Sequence, residues 1–157
     1  MEANSLKIIE DDLKRPEVLA LVREHLESMY QTSPPEAVFA LEPEALVGPD
    51  VTFWTAWTGP NLAGCGALRE LDPSHGEIKS MRTSSTHLRQ GVASRLLEHI
   101  LSVSRKRGYH RLSLETGSGP AFTAAQKLYE RYGFQPSGPF ADYKPNEFSV
   151  FMTRTVD

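Results

Sequence analysis

The sequence is poor in the features that would assign it quickly. It holds one cysteine, Cys65, so no internal disulfide can form. It has no run of about 18 consecutive apolar residues, which excludes a helix crossing a membrane. The opening stretch, MEANSLKIIEDD, is acidic and lacks the basic-then-apolar order of a secretory signal. Basic excess is missing as well. The 17 Lys and Arg face 20 Asp and Glu, and a net charge of −3 indicates no surface for nucleic acid. His25, His75, His87, His99 and His110 are scattered, with neither HExxH nor CxxC spacing, so no metal site is expected. No internal repeat and no low-complexity linker interrupts the chain. These absences point to a cytoplasmic protein whose partners include no metal, nucleic acid or membrane.

What is present is one domain's worth of chain, residues 1–157, with 39% hydrophobic and 24% charged residues, enough for a proper core. Leu6 to Glu10 reads as a first strand. Pro16 to Tyr30 reads as a helix, with Pro16 in a first turn that needs no N–H and Leu19, Val22, Leu26 and Met29 on one face. Thr32-Ser33-Pro34-Pro35 stops it, and Pro43 to Val47 forms a short second helix. Val51 to Trp57, Leu62 to Leu71 and Glu77 to Thr83 read as a meander of strands separated by turn residues. Trp54 and Trp57 fall on opposite faces of the first of these. Gly91 to Arg107 carries a wide apolar face and ends at Gly108, the strongest helix signal in the chain. Arg111 to Glu115 is a strand, Ala121 to Tyr132 a helix stopped by Gly133, and Phe148 to Arg154 a final strand. A strand–helix–strand crossover beside a meander requires a mixed α/β sheet with helices on both faces.

The segment from Glu77 to Ala93 carries the chemistry. It is a strand, a polar loop and a helix opened by glycine. The start of such a helix offers unpaired N–H groups and a positive dipole end, a place for phosphate or pyrophosphate. Gly91 lets the backbone approach a ligand without a Cβ, and Arg89 can add a charge-assisted contact. No GKS or GKT follows, so this is not a Walker loop, and it is not a GxGxxG fingerprint. Taken alone, a glycine at a helix start is more often plain packing or turn chemistry.

Two motifs with the right spacing make the chain resemble the GNAT N-acetyltransferases. The strand–loop–helix is similar to that family's acetyl-CoA motif, Q/R-x-x-G-x-G/A. Leu128-Tyr129-Glu130-Arg131-Tyr132-Gly133-Phe134 is similar to its "LYEKLGF" ending. The motifs span Glu77 to Phe134, and the element order extends the likeness to nearly the whole chain. The resemblance implies a GNAT fold, a partly splayed sheet of about six to seven strands, and transfer of an acetyl group from acetyl-CoA to a small-molecule or peptide amine. It also admits a homodimer. The departures are Leu88, at the Q/R position, and Phe122, where the family often has Asn.

By the resemblance, cofactor-binding residues are Met81, Arg82 and Thr83, whose backbone pairs with the pantetheine arm, with Leu88, Arg89, Gln90, Gly91, Val92, Ala93 and Ser94 around the pyrophosphate and Phe122 beside the arm. An N–H near Met81 polarises the thioester carbonyl. Tyr129 is the general acid for the leaving thiolate, and a core aromatic is the competing reading. Glu77 is the candidate base. Alternation puts it on one face with Lys79, Met81 and Thr83, and the competing reading is a solvated strand-end carboxylate. His25, Met29 and Tyr30 line the acceptor pocket. Cys65 lies in an apolar strand without a neighbouring base, which disfavours an acetyl-cysteine route. Two further readings stay open: a non-catalytic acyl-CoA-binding regulatory module, and an interaction protein using Tyr143 to Phe148.

Overall fold

The structure, a computed structural model, describes residues 5–156. Seven strands form one sheet: β1 (Leu6–Glu10), β2 (Val51–Thr58), β3 (Asn61–Asp72), β4 (His75–Thr83), β5 (Arg111–Gly117), β6 (Gln135–Ser137) and β7 (Ser149–Thr155). Their order is β1-β2-β3-β4-β5-β7-β6. The neighbours pair antiparallel except β4 and β5, which are parallel and joined through α2 (Val92–Arg107). The other α-helices are α1 (Pro16–Thr32) and α3 (Thr123–Arg131), and the expected short helix Pro43–Val47 is a 3-10 helix. The mixed sheet of the sequence reading is therefore observed.

Two cores sit on the two faces. On one, Leu96, Leu97, Ile100 and Leu101 of α2 and Leu128 and Tyr129 of α3 pack on Trp54, Leu68, Ile78, Leu112 and Leu114. Each fully buried leucine or isoleucine contributes about 1.5–3 kcal/mol relative to exposure. On the other, Val18, Leu21 and Val22 of α1 pack on Phe53, Trp57, Cys65 and Ala67. Trp54 and Trp57 thus belong to opposite faces, and both are core.

The element boundaries differ from the sequence reading in instructive places. Helix α1 runs to Thr32, and Ser33 is extended ahead of Pro34, as the residue before proline must be. The expected helix from Ala121 opens as a 3-10 turn, Pro120–Phe122, before α3 proper. Strand β6 was not separately placed by the sequence, because its three residues, Gln135-Pro136-Ser137, carry no apolar alternation.

Candidate functional site

A fork in the sheet builds the site. Strands β4 and β5 pair from His75↔Arg111 to Ile78↔Leu114 and then separate. Lys79–Thr83 stays paired with β3 on its other side, through Cys65↔Arg82 and Gly64↔Thr83, so its β5-facing edge has no strand partner among the described residues. A cavity of about 510 Å3 fills the gap, lined by Glu77 to Thr83 of β4 and Glu115 to Gly117 of β5. Its walls include Glu24, His25 and Met29 of α1 and Ala125, Leu128 and Tyr129 of α3.

Strand β4 carries a bulge that overturns one sequence inference. The register with β3 slips between Cys65 and Ala67, and Ser80 sits at φ 56°, a left-handed conformation that costs a non-glycine residue. The extra residue resets the alternation. Met81 packs in the α2-side core with Ile78, whereas Arg82 faces α1 and its guanidinium pairs with Glu24 at 2.9 Å. Glu77 and Lys79 therefore do not share a face with Met81 and Thr83, as plain alternation requires.

On the α2 side, the cavity meets the loop before that helix. Gly91 caps α2 at φ 80°, and open space surrounds the position a Cβ would take. The first helical bond is Arg95 N–H to Gly91 C=O at 3.1 Å, so the preceding N–H groups are left for a ligand. Leu88, more than half exposed, and Ala93 line the cavity. Arg89, Gln90, Gly91, Val92 and Ser94 are not in its lining. Val92 is a core side chain, so only its backbone can face a ligand. Ser94 turns toward the Tyr132 hydroxyl. Phe122 lines the cavity, pressed so closely on Gly117 that a Cβ there would lie 2.1 Å from the ring. Only glycine admits that ring.

Tyr129 is both core and cavity wall. Its ring packs edge-on against Phe134 at 5.8 Å, and its hydroxyl has no hydrogen-bond partner among the described residues. Burial, with the Glu115 charge adding to it, pushes its pKa up to about 12, so the phenol stays protonated. Cys65 is buried, its Sγ donates to Ser80 C=O at 3.3 Å, and burial pushes its pKa up to about 12. No reactive thiolate exists there.

The opposite face holds a polar cluster. Glu77 is 1% exposed, which removes the solvated strand-end reading. Its Oε2 accepts from Lys79 Nζ at 3.1 Å and from the Tyr143 hydroxyl, and Lys79 also donates to Tyr143 at 2.8 Å. Burial, then the Glu77 charge, pushes the Tyr143 phenol well up. Phe39, Phe140 and Phe151 surround the Tyr143 ring. Nearer the fork, Glu115 accepts from Ser149 Oγ at 2.7 Å, and burial raises its pKa. His25 and Met29 line this part of the cavity, as expected, but Tyr30 is 52% exposed and outside it. One residue along a helix turns the side chain by roughly 100°. Burial, then Arg82, lowers His25 to about 4, so its imidazole is neutral at physiological pH.

Sequence reasoning paired Lys79 with Glu77 but missed Glu115 and Tyr143 as lining or partners of the site. Glu115 had a signal: it alternates with Leu112 and Leu114, so it must face away from their core. Tyr143 sits in an irregular loop whose path no periodicity encodes. Among the described residues no group of three or more His, Cys, Asp and Glu is placed to hold a metal ion. No helix among them is long and apolar enough to cross a membrane.

Comparisons with known proteins agree with this architecture. A family profile described as the acetyltransferase (GNAT) family matches residues 17–134. The chain is 60% identical over 146 residues to the uncharacterized N-acetyltransferase YsnE of Bacillus subtilis, covering 93% of this chain and 97% of that protein. It is 52% identical over 146 residues to the uncharacterized N-acetyltransferase YedL of Escherichia coli, covering 93% and 92%. Among solved structures, a Klebsiella pneumoniae chain assigned as an acyl-CoA N-acyltransferase superposes with a TM-score of 0.78 at 28% identity, covering 98% and 99%. A GNAT family acetyltransferase of Elizabethkingia anophelis with acetyl-CoA bound superposes with a TM-score of 0.68 at 16% identity, covering 97% and 99%.

Proposed function

The chain belongs to the GNAT acetyltransferase family, an acetyl-CoA-dependent acyltransferase, and on that premise we propose that it moves an acetyl group directly to a primary amine within a ternary complex. The observation that carries this reading is the fork: an unpaired β4 edge leading from the α2 N-terminus to a cavity with a protonated phenol on one side and carboxylates on the other.

In this reading the backbone of Met81, Arg82 and Thr83 pairs with the pantetheine amides. The N–H groups opening α2, with Leu88, Arg89, Gln90 and Gly91 beside them, hold the pyrophosphate. Phe122 supplies an apolar contact to the arm. The Met81 N–H stabilises the oxyanion that forms when the amine attacks the thioester. Tyr129 gives its proton to the departing thiolate. A phenol near pKa 12 is a weak acid toward an ordinary thiol of about 8.5. Burial of the thiolate in the closed cavity lessens that mismatch, because desolvation disfavours the charged sulfur. The amine's proton goes to a carboxylate on the far side, Glu77 being the candidate from sequence. His25 and Met29 contact the acceptor. The same reading takes residues 1–157 as one catalytic domain acting in the cytoplasm, alone or as a homodimer.

The test is release of free CoA from acetyl-CoA on addition of benzylamine, tyramine, spermidine, alanine or an alanine-led peptide. Amine-dependent release with a matching acetylated product supports the reading. Tight acetyl-CoA binding with no turnover on any of them favours a non-catalytic acyl-CoA-binding module instead.

A further inference from the structure

Resting on the transferase reading, we infer that the acceptor is a primary amine whose remainder is an uncharged aromatic ring, and that Phe39 seats that ring. The charges of the cavity wall are already matched to one another. Lys79 pairs with Glu77 at 3.1 Å, with side chains 6% and 1% exposed, and Arg82 pairs with Glu24 at 2.9 Å. His25 is neutral. The carboxylate left over is Glu115, which stands at the fork itself, where burial raises its pKa. A second ammonium farther along an acceptor therefore meets no free carboxylate. An acceptor's own carboxylate would share Lys79 with Glu77, or Arg82 with Glu24, and two like charges on one buried cation repel. His25 Nδ1 and Ser80 Oγ, buried polar atoms of the wall without a partner among the described residues, are both uncharged.

The end of the cavity beside α1 is apolar. After α1 the chain runs between two 3-10 turns, Pro35–Ala37 and Pro43–Val47, and residues 37–40 turn back to line the cavity next to Met29. Phe39 is half-buried there. Its ring is held edge-on by Tyr143 at 5.1 Å, and Tyr143 is held by Lys79, Glu77, Phe140 at 4.9 Å and Phe151 at 5.5 Å. Of these rings only Phe39 reaches the cavity, and the small side chains of Ala37 and Ala40 stand on either side of it. The sequence thus presents one braced aromatic face with room beside it. A second ring packed there gains apolar burial and an offset or edge-on contact without displacing any ion pair.

The test measures kcat and KM for benzylamine, 2-phenylethylamine, ethylamine, spermidine and alanine, in wild type, Phe39→Ala and Phe39→Leu. Wild type should favour the better ring amine over the other three by at least about tenfold in kcat/KM, the worth of burying one ring. Phe39→Ala should cost that amine at least about tenfold more than it costs ethylamine, chiefly through KM, while acetyl-CoA affinity stays within twofold. Phe39→Leu keeps apolar bulk against Tyr143 without a ring and should show the same selective loss in smaller measure, so it carries the test where the alanine variant does not fold. Spermidine or alanine equal to the ring amines, or losses equal for ethylamine and the ring amine, overturn the inference and leave the transferase reading intact. Calorimetry of 2-phenylethylamine with the CoA complex separates the two claims. Binding that Phe39→Ala weakens, with no amine turned over, overturns the transferase reading and supports the ring site; neither binding nor turnover overturns both.

Discussion

At the scale of single residues, Tyr129 carries the most specific expectation. Replacing it with phenylalanine keeps the ring against Phe134 and removes only the hydroxyl. Fold and acetyl-CoA affinity should be unchanged, while kcat should fall by about 100-fold or more, the usual worth of a general acid. Turnover within twofold of wild type would make Tyr129 a core residue only. His25 gives a second expectation, on stability. Its folded pKa, about 4, lies below its unfolded value of about 6.5. The unfolded chain therefore binds more protons between those values, and stability must fall as pH drops from about 6.5 toward 4. His25→Gln should lessen that fall, read as Tm against pH beside wild type, and identical slopes would contradict it. The position of Tyr129 on the cavity wall was legible because the motif around it is contiguous. The facing of Glu77 was not, because a single bulged residue, Ser80, inverts every side chain that follows and leaves no mark in composition. Tyr30 failed for the opposite reason. Its neighbour Met29 does line the cavity, and adjacency in sequence is not adjacency on a helix.

At the scale of elements, the loop into α2 is the feature to perturb. Gly91 lies at φ 80° with open space around it, so a side chain there meets no protein atom but stands where an anion would sit. Gly91→Glu adds backbone strain and a like charge facing the pyrophosphate. Acetyl-CoA affinity should weaken at least tenfold, about 1.4 kcal/mol, by calorimetry. Unchanged affinity in a folded variant would remove the pyrophosphate from this loop. The elements themselves were readable where apolar periodicity was long, as in α2, whose buried face matches the one read from sequence. They were unreadable where side chains are few or polar. Strand β6 has three residues, and the Phe122 contact depends on the 3-10 turn Pro120–Phe122 that brings the ring back onto Gly117 at the end of β5. The Tyr143 loop closes over Glu77 through contacts 66 residues apart in sequence, which local pattern cannot report.

At the scale of the whole molecule, the proposed function rests on a sheet that does not close. Crossover rules make β4 and β5 parallel neighbours, and that was legible. How far they stay paired depends on the bulge at Ser80 and on what packs between them, which only the fold reveals. The divergence makes one cavity reachable from both faces, with α2, α3 and Tyr129 on one side and α1, Glu77 and Glu115 on the other. The proposed ternary complex requires the two reactants to meet at this fork. The most direct test is a crystal structure of the complex with acetyl-CoA. The pyrophosphate should lie against the N–H groups that open α2, the pantetheine amides should pair with Met81–Thr83, and the thioester should sit beside Tyr129. Acetyl-CoA bound away from the β4–β5 fork, or a β4 edge that pairs with β5 instead of the ligand, would contradict the account.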